Sequence, residues 1–204
     1  MKRLLSITII VFAFNFSSAQ KVYLNVGRNF TTYDYTNSQG EENPNIESSS
    51  GASYEVGYIF PMGDKFGIAA GFTLDQYNAT GGNLVNNYSW NTNYLGLQGM
   101  ARYTVLGADI APFAVILKAG VNFNHIISGE QKINGQTFRL TDEDLFNGLF
   151  IKPVLGLDVQ YTLLDDIAVS MGYNISKNIG LSTGDEELNF NNSQVQFGIL
   201  ISLN

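Results

Sequence analysis

The sequence contains no cysteine, which excludes disulfide bonds, thiolate metal sites and a lipid anchor on a cysteine. Proline is scarce as well, with four in 204 residues, whereas glycine is abundant with 21. The 11 lysines and arginines are outnumbered by 18 acidic residues, and the net charge of −7 disfavours nucleic acid as a partner. Few prolines, many glycines and 13% aromatic residues favour a strand-rich fold with glycine turns.

Apolar runs long enough for a transmembrane helix are also missing. The run Leu4–Phe14 is too short to span a bilayer, follows Lys2 and Arg3, and precedes the small residues Ser17–Ala19. We therefore predict a signal peptide over residues 1–19, favoured over a membrane anchor because no stop-transfer segment follows. Residues 20–204 then form one exported domain, which is either soluble or a transmembrane β-barrel.

Alternation between apolar and other residues predicts eight β-strands. They are Lys21–Phe30, Ala52–Phe60, Phe66–Gln76, Asn93–Tyr103, Phe113–Asn124, Phe150–Tyr161, Ile167–Ile175 and Gln194–Leu203. Every second connection is long and polar, namely Thr31–Gly51, Tyr77–Thr92, His125–Leu149 and Ser176–Ser193. Alternate connections of an up-and-down meander lie at the same end, so we predict a long-loop end and a short-turn end, as in outer-membrane barrels.

The two faces of the predicted strands differ in composition. One is apolar, and its aromatic residues near the short turns form a predicted girdle of Phe60, Phe66, Tyr103, Phe113 and Tyr161. The other carries glycine and small polar residues with few charges, which suits the narrow lumen of an eight-stranded barrel. We therefore predict an all-β fold, an eight-stranded antiparallel up-and-down transmembrane β-barrel with its apolar face outward. A soluble ligand-binding barrel, with that face inward, is the alternative. Pro153 predicts a bulge or a weak ladder in strand six.

Several short segments carry a resemblance to a known family. They are Asp64–Phe72, Asn93–Leu95, Arg102-Tyr103, Pro112-Phe113, Ala119-Gly120 and Gln196–Gly198. Together they resemble the small outer-membrane β-barrel proteins of Bacteroidetes-type bacteria, including OmpA-like porin-type barrels and an accessory barrel of the type IX secretion pathway. The resemblance covers the whole mature chain and implies an architecture rather than an activity.

Six charged residues lie on the glycine-bearing face. They are Glu55, Asp75, Arg102, Lys118, Lys152 and Asp158. In a narrow lumen the acids would face bases mainly on the opposite wall, and buried charges are costly unless they pair. We predict that this network is a structural plug; a selectivity lining or gate of a narrow pore is the alternative.

Catalytic signatures are few. His125 lies near Ser128, Asp142 and Asp144 in sequence, which suggests a lipid-modifying enzyme as one alternative. The sequence has no G-x-S-x-G, H-E-x-x-H, P-loop or G-x-G-x-x-G motif. Clustered carboxylates in the long connections can hold Ca²⁺, although a solvated acidic rim is the simpler interpretation. We predict no enzymatic activity, no catalytic residue, no metal and no cofactor.

The leading functional hypothesis is a non-enzymatic scaffold in the outer membrane. Its long loops would face outward for docking or adhesion, its termini would be periplasmic, and it would be an accessory subunit of an envelope or secretion complex. The expected partners are outer-membrane lipids and a larger envelope complex, with no nucleic acid and no small-molecule substrate. A narrow pore for ions or small solutes is the second hypothesis.

Overall fold

The computed structural model describes residues 20–41, 45–82, 87–107, 112–143, 145–181 and 187–203, and the predicted signal peptide lies outside them. The strands are β1 (Gln20–Thr36), β2 (Ile46–Pro61), β3 (Phe66–Gly82), β4 (Asn87–Leu106), β5 (Phe113–Ile133), β6 (Gln136–Arg139), β7 (Leu149–Leu164), β8 (Ile167–Gly180) and β9 (Glu187–Leu203). Within the described segments, no helix is long and apolar enough to cross a membrane.

Eight of these strands close into an antiparallel barrel. Each pairs with its neighbour in the chain, except that β5 passes over the short β6 to pair with β7. Closure comes from β1 and β9, which pair over seventeen residues from Gln20↔Leu203 to Thr36↔Glu187. The predicted fold class is therefore confirmed. The additional strand β6 forms a small hairpin with the end of β5, on the edge of β5 that β7 occupies nearer the short-turn end.

The apolar face points outward. Phe72, Leu97, Leu155 and Phe197 have 55% to 60% of their surface exposed, although each lies in the middle of a strand. Their neighbours on the opposite face are buried, as the alternating burial of Phe66–Gly82 shows. A soluble barrel with an apolar interior is therefore the wrong interpretation, because its largest apolar side chains would then face water.

The predicted long loops are largely wrong, because most of those residues continue the strands. β1 runs on to Thr36 and β2 begins at Ile46, so the first connection shrinks to residues 37–45. In these extensions the outward side chains become polar, as at Thr32 and Asp34, while the ladder to β9 continues without interruption. The alternation of apolar and polar residues ends where the strands leave the lipid, whereas the backbone pairing continues beyond that point. The sequence pattern therefore reveals only the part of each strand that contacts lipid.

Pro153 marks a gap in the barrel wall. The pairing of β7 with β8 passes from Ile151↔Ile179 directly to Val154↔Ser176, and the register on either side is the same. The proline lacks the N–H that the ladder needs. The structure therefore shows a locally weak ladder rather than a bulge.

Two glycines make room inside the barrel. Gly57 and Gly71 are cross-strand partners on β2 and β3, and both face the lumen. A Cβ added at either position would lie 2.8 or 2.7 Å from the Tyr23 hydroxyl oxygen, closer than packed atoms approach. Their missing side chains let the Tyr23 side chain lie over the adjacent strands β2 and β3, where its hydroxyl reaches Glu55.

Candidate functional site

The first group of lumen charges surrounds Asp158 on β7. Its Oδ1 lies 2.7 Å from the Lys118 ammonium of the adjacent strand β5. Its Oδ2 lies 3.3 Å from the Arg102 guanidinium of β4. All three side chains are nearly inaccessible to solvent. One buried carboxylate thus accepts from two bases.

The second group lies nearer the long-loop end and is centred on Asp75 of β3. The Lys152 ammonium reaches across the lumen from β7 to within 2.6 Å of Asp75 Oδ2. Ser53 and Asn29 donate hydrogen bonds to Oδ1 at 2.6 and 3.3 Å, and the Tyr77 hydroxyl donates to Oδ2 at 3.0 Å. This carboxylate is charge-balanced and fully hydrogen-bonded, which is the condition for burying it.

Glu55 differs from the other two acids. Neutral groups hold its carboxylate: the Tyr23 hydroxyl at 2.7 Å, Asn25 Nδ2 at 3.2 Å and Gln98 Nε2 at 2.5 Å. In the part of the chain that the structure describes, no lysine or arginine forms an ion pair with it. The bases predicted to face Glu55 instead bind the two aspartates.

An aromatic plug closes the lumen above the Asp75 group, on its long-loop side. We define the plug as Tyr77, Tyr94, Phe150 and Phe190, which come from four strands and are completely buried. Tyr94 contacts Phe150 and Phe190 with ring centres 5.4 and 5.8 Å apart, and Phe150 stacks on Phe190 at 5.2 Å. Tyr77 lies 5.4 Å from Tyr94 and 5.6 Å from Phe190, so the rings span the lumen.

Sequence reasoning missed the plug because most of its residues fall in or at the edges of the predicted loops. The signal was present, since Leu188 and Phe190 alternate with polar residues in β9, as Tyr77 does in β3. A smaller apolar layer closes the short-turn half of the lumen. It consists of Tyr23, Ile59, Ala69, Met100, Val154, Ala168 and Leu200.

A cup of about 430 Å³ opens on the outer side of the plug. Tyr33 forms part of its floor, with its ring 4.6 Å from that of Phe190. The remaining lining residues are Tyr35, Ile46, Tyr88, Trp90, Gln131, Ile133, Phe138, Leu140, Glu143, Leu145, Phe146 and Leu188. The β6 hairpin and the segment after it form one wall. This volume is that of a small-molecule site.

The predicted girdle residues lie at the short-turn end, on the outside of the barrel. Phe66 pairs with Tyr103 across β3 and β4, and Phe113 pairs with Tyr161 across β5 and β7. All four are between 42% and 49% exposed. Phe60 is half-buried, and its ring lies 6.5 Å from that of Tyr58. Tyr58 therefore belongs to the same aromatic band.

The structure does not assemble a catalytic group around His125. Its side chain is exposed on the outer face of β5, away from the lumen. The Ser128 hydroxyl accepts a hydrogen bond from Asn93 Nδ2 at 2.9 Å. Asp144, the fourth residue of that hypothesis, lies outside the described residues. Across the described ranges, no cluster of three or more histidine, aspartate or glutamate side chains is arranged to hold a metal ion.

A closed eight-stranded barrel with an apolar exterior and a polar, plugged interior is the architecture of outer-membrane β-barrel proteins. The chain matches the family described as outer membrane protein beta-barrel domain over residues 4–199, and it belongs to that family. Family membership places the protein in the outer membrane.

Solved structures show the same fold. Neisserial surface protein A is 13% identical, with 89% of this chain and 97% of that chain covered at a TM-score of 0.55. The outer membrane protein OprG from Pseudomonas aeruginosa is 11% identical, with 91% and 97% covered at the same TM-score of 0.55. Identities this low show the fold alone. A search of curated proteins found no match.

Proposed function

We propose that the protein is a non-enzymatic, non-conducting outer-membrane barrel that binds a partner at its long-loop end. The observation that carries this proposal is the aromatic plug. Tyr77, Tyr94, Phe150 and Phe190 fill the cross-section of the lumen, while the surface beyond them opens into a cup. Such a barrel closes the membrane and presents a recognition surface on one side of it.

The proposed orientation follows the asymmetry of the two ends. Outer-membrane barrels have short turns on the periplasmic side and longer connections outside. The turns at Met62–Lys65 and Asp165–Asp166 are short, and Gln20 and Leu203 lie at the same end. We therefore assign this end and both termini to the periplasm. A signal peptide over residues 1–19 would direct the export.

The proposed partner is either a surface outside the cell, to which the barrel adheres, or a larger envelope complex, of which the barrel is an accessory subunit. The resemblance of its hairpins to Bacteroidetes-type accessory barrels supports this assignment. Gentle detergent extraction followed by affinity capture of a tagged barrel tests it. Recovery of the barrel with a stoichiometric envelope protein is expected, and recovery of the barrel alone, also after crosslinking in cells, would contradict it.

Planar-bilayer recordings test the closed lumen separately. The purified barrel is expected to insert without producing conductance steps, because two apolar layers interrupt the polar lumen. Insertion is checked independently by the heat-modifiable mobility of the reconstituted protein. Reproducible conductance from properly folded barrels would show that the lumen is open.

A gated narrow pore is the second candidate, and one observation favours it. Asp158 is shared by Arg102 and Lys118, whereas Glu55 has only neutral partners. An exchange of Arg102 from Asp158 to Glu55 would rearrange the middle of the lumen without leaving a buried charge unpaired. Voltage-dependent conductance that disappears in Glu55→Gln would favour this candidate over the closed scaffold.

A further inference from the structure

The cup at the long-loop end is lined by aromatic ring faces. Tyr33 and Trp90 have ring centres 5.9 Å apart with planes inclined at 46°, and Tyr88 stacks on Trp90 at 6.2 Å. Tyr33 also packs against Phe146, with ring centres 6.2 Å apart. The cup therefore has a floor of packed, buried rings, above which Tyr88 and Trp90 are partly exposed.

The hydroxyl of Tyr33 points away from this space. It donates a hydrogen bond to the Tyr77 backbone carbonyl at 2.8 Å and lies 3.1 Å from Thr92 Oγ1. Because its polar end is occupied below, Tyr33 contributes only the edge of a buried ring to the floor of the cup, and the partly exposed rings are Tyr88 and Trp90. Ring faces carry the negative part of the aromatic quadrupole and attract cations.

The charged residues around the cup are mostly acidic, so the surrounding charge is negative, like the faces of the aromatic rings. Glu143 is the charged residue among its lining residues, and no lysine or arginine lines it in the described structure. The described acids of this end are Asp34, Glu41, Glu47, Glu130, Asp142, Glu143 and Glu187, against the bases Lys132, Arg139 and Lys177. The negative charge of the rim repels an anionic ligand. A neutral ligand would gain no electrostatic attraction from the Glu143 carboxylate.

We propose that this cup binds a small organic cation, with a quaternary or alkylated ammonium group held against the rings and Glu143 as its counter-charge. Recognition of such groups by aromatic cages is a known use of cation–π contacts. The inference rests on the proposed function, because it names the ligand class of the same end of the barrel.

The chain supplies its own reporter for this site. Trp90 is the single tryptophan of the sequence and it lines the cup, so intrinsic fluorescence reports directly on occupancy. The test titrates the barrel, folded in octyl glucoside, with choline and with benzyltrimethylammonium. The matched control is 3,3-dimethyl-1-butanol, which has the shape of choline with carbon in place of the charged nitrogen.

A saturable change of Trp90 fluorescence is expected with both cations. The affinity for the neutral alcohol should be lower than that for choline by at least about tenfold. Equal affinity for choline and its neutral analogue would overturn the proposal, since the cup would then recognise shape alone. The absence of a saturable change with either cation would overturn it as well.

Variants locate the site. Glu143→Gln and Tyr88→Leu are each expected to weaken choline binding by about fivefold to tenfold. Their controls are Glu187→Gln, an exposed acid of the same end outside the cup, and Tyr54→Leu, an exposed tyrosine of the outer face. Heat-modifiable mobility confirms that each variant is folded. Unchanged affinity in both cup variants would overturn the assignment.

The outcome is separable from that of the proposed function. A barrel that is silent in planar bilayers and captures an envelope partner, yet ignores choline, loses only the ligand class. A barrel that conducts ions and still binds choline through Trp90 keeps the site and loses the closed lumen.

Discussion

The Lys152 ammonium lies 2.6 Å from the Asp75 carboxylate and 5.6 Å from the centre of the Tyr77 ring. Tyr77 belongs to the aromatic plug, and its hydroxyl also accepts a hydrogen bond from Lys152 at 2.9 Å. The ion pair and the plug are therefore one connected structure. Loss of the base should affect both the charge balance of the lumen and the position of the rings.

Lys152→Met is expected to destabilise the barrel by about 3–5 kcal/mol, because it leaves Asp75 buried without its counter-charge. Urea unfolding in lipid vesicles, followed by gel mobility, measures the change in the free energy of unfolding. The matched control is Lys177→Met, which removes the half-exposed pair with Asp34 at 3.6 Å. That variant should change stability by no more than about 1 kcal/mol, and equal effects of the two would refute a special role for the buried pair.

Charge reversal at Glu55 should be more harmful than its neutralisation. Glu55→Lys places a cation among Tyr23, Asn25 and Gln98, which now donate to the carboxylate, so we expect a loss of at least about 3 kcal/mol. Glu55→Gln keeps one oxygen, which can accept from Tyr23 and Gln98, but places an NH₂ group opposite Asn25 Nδ2, and it should cost about 1–3 kcal/mol. The same unfolding assay separates them. Unchanged stability in Glu55→Lys would show that this layer does not support the fold.

Removal of one aromatic ring from the plug should both destabilise the barrel and open its lumen. Phe190 is completely buried and contacts four other rings, so Phe190→Ala is expected to cost about 3–5 kcal/mol. In planar bilayers the folded variant should produce small conductance steps that the wild-type protein lacks. Phe197→Ala, which removes an exposed ring from the outer face of the same strand, is the control and should remain silent.

Substitution by alanine should destabilise the barrel far more at a glycine that faces the lumen than at Gly99, which faces outward. Gly71→Ala would crowd the Tyr23 hydroxyl and the Val56 carbonyl, and overpacking of this kind costs about 1–3 kcal/mol. Gly99 faces outward, and an added Cβ there meets no atom within 4 Å. Gly99→Ala should therefore be within about 0.5 kcal/mol of the wild type. Similar unfolding midpoints for the two variants would contradict the inferred direction of the faces.

The membrane-spanning part of the fold follows from the sequence because lipid imposes a strict rule. Outward side chains such as Phe72 and Leu97 must be apolar, inward ones must be small or paired, and the period of two reveals both sets. The residues predicted to line the lumen, including Asp75 and Lys152, do face it. The specific pairing was not predictable, because the alternation and the strand order give a face, an approximate height and a place around the barrel, but not the exact register or the direction in which each side chain extends.

The long-loop end was harder to predict for a different reason. Outside the lipid the outer face is no longer required to be apolar, so the alternation that marks a strand becomes ambiguous. One local signal was available and went unused: Asn134-Gly135 is a favoured hairpin turn, and both residues have positive φ, 50° and 85°. The hairpin of β5 and β6 that it forms supplies part of the cup wall. The cup itself depends on tertiary contacts between distant segments and has no sequence pattern.

The interrupted ladder at Pro153 has a mechanical consequence. The adjacent strands β7 and β8 are not joined by backbone pairing at Lys152 and Pro153, so this seam is one of the places where the wall can open sideways. Lys152 extends from the same seam to Asp75 on β3 and ties it to the far side of the barrel. At this seam a side chain inside the lumen therefore supplies part of the cohesion that backbone pairing supplies elsewhere in the wall.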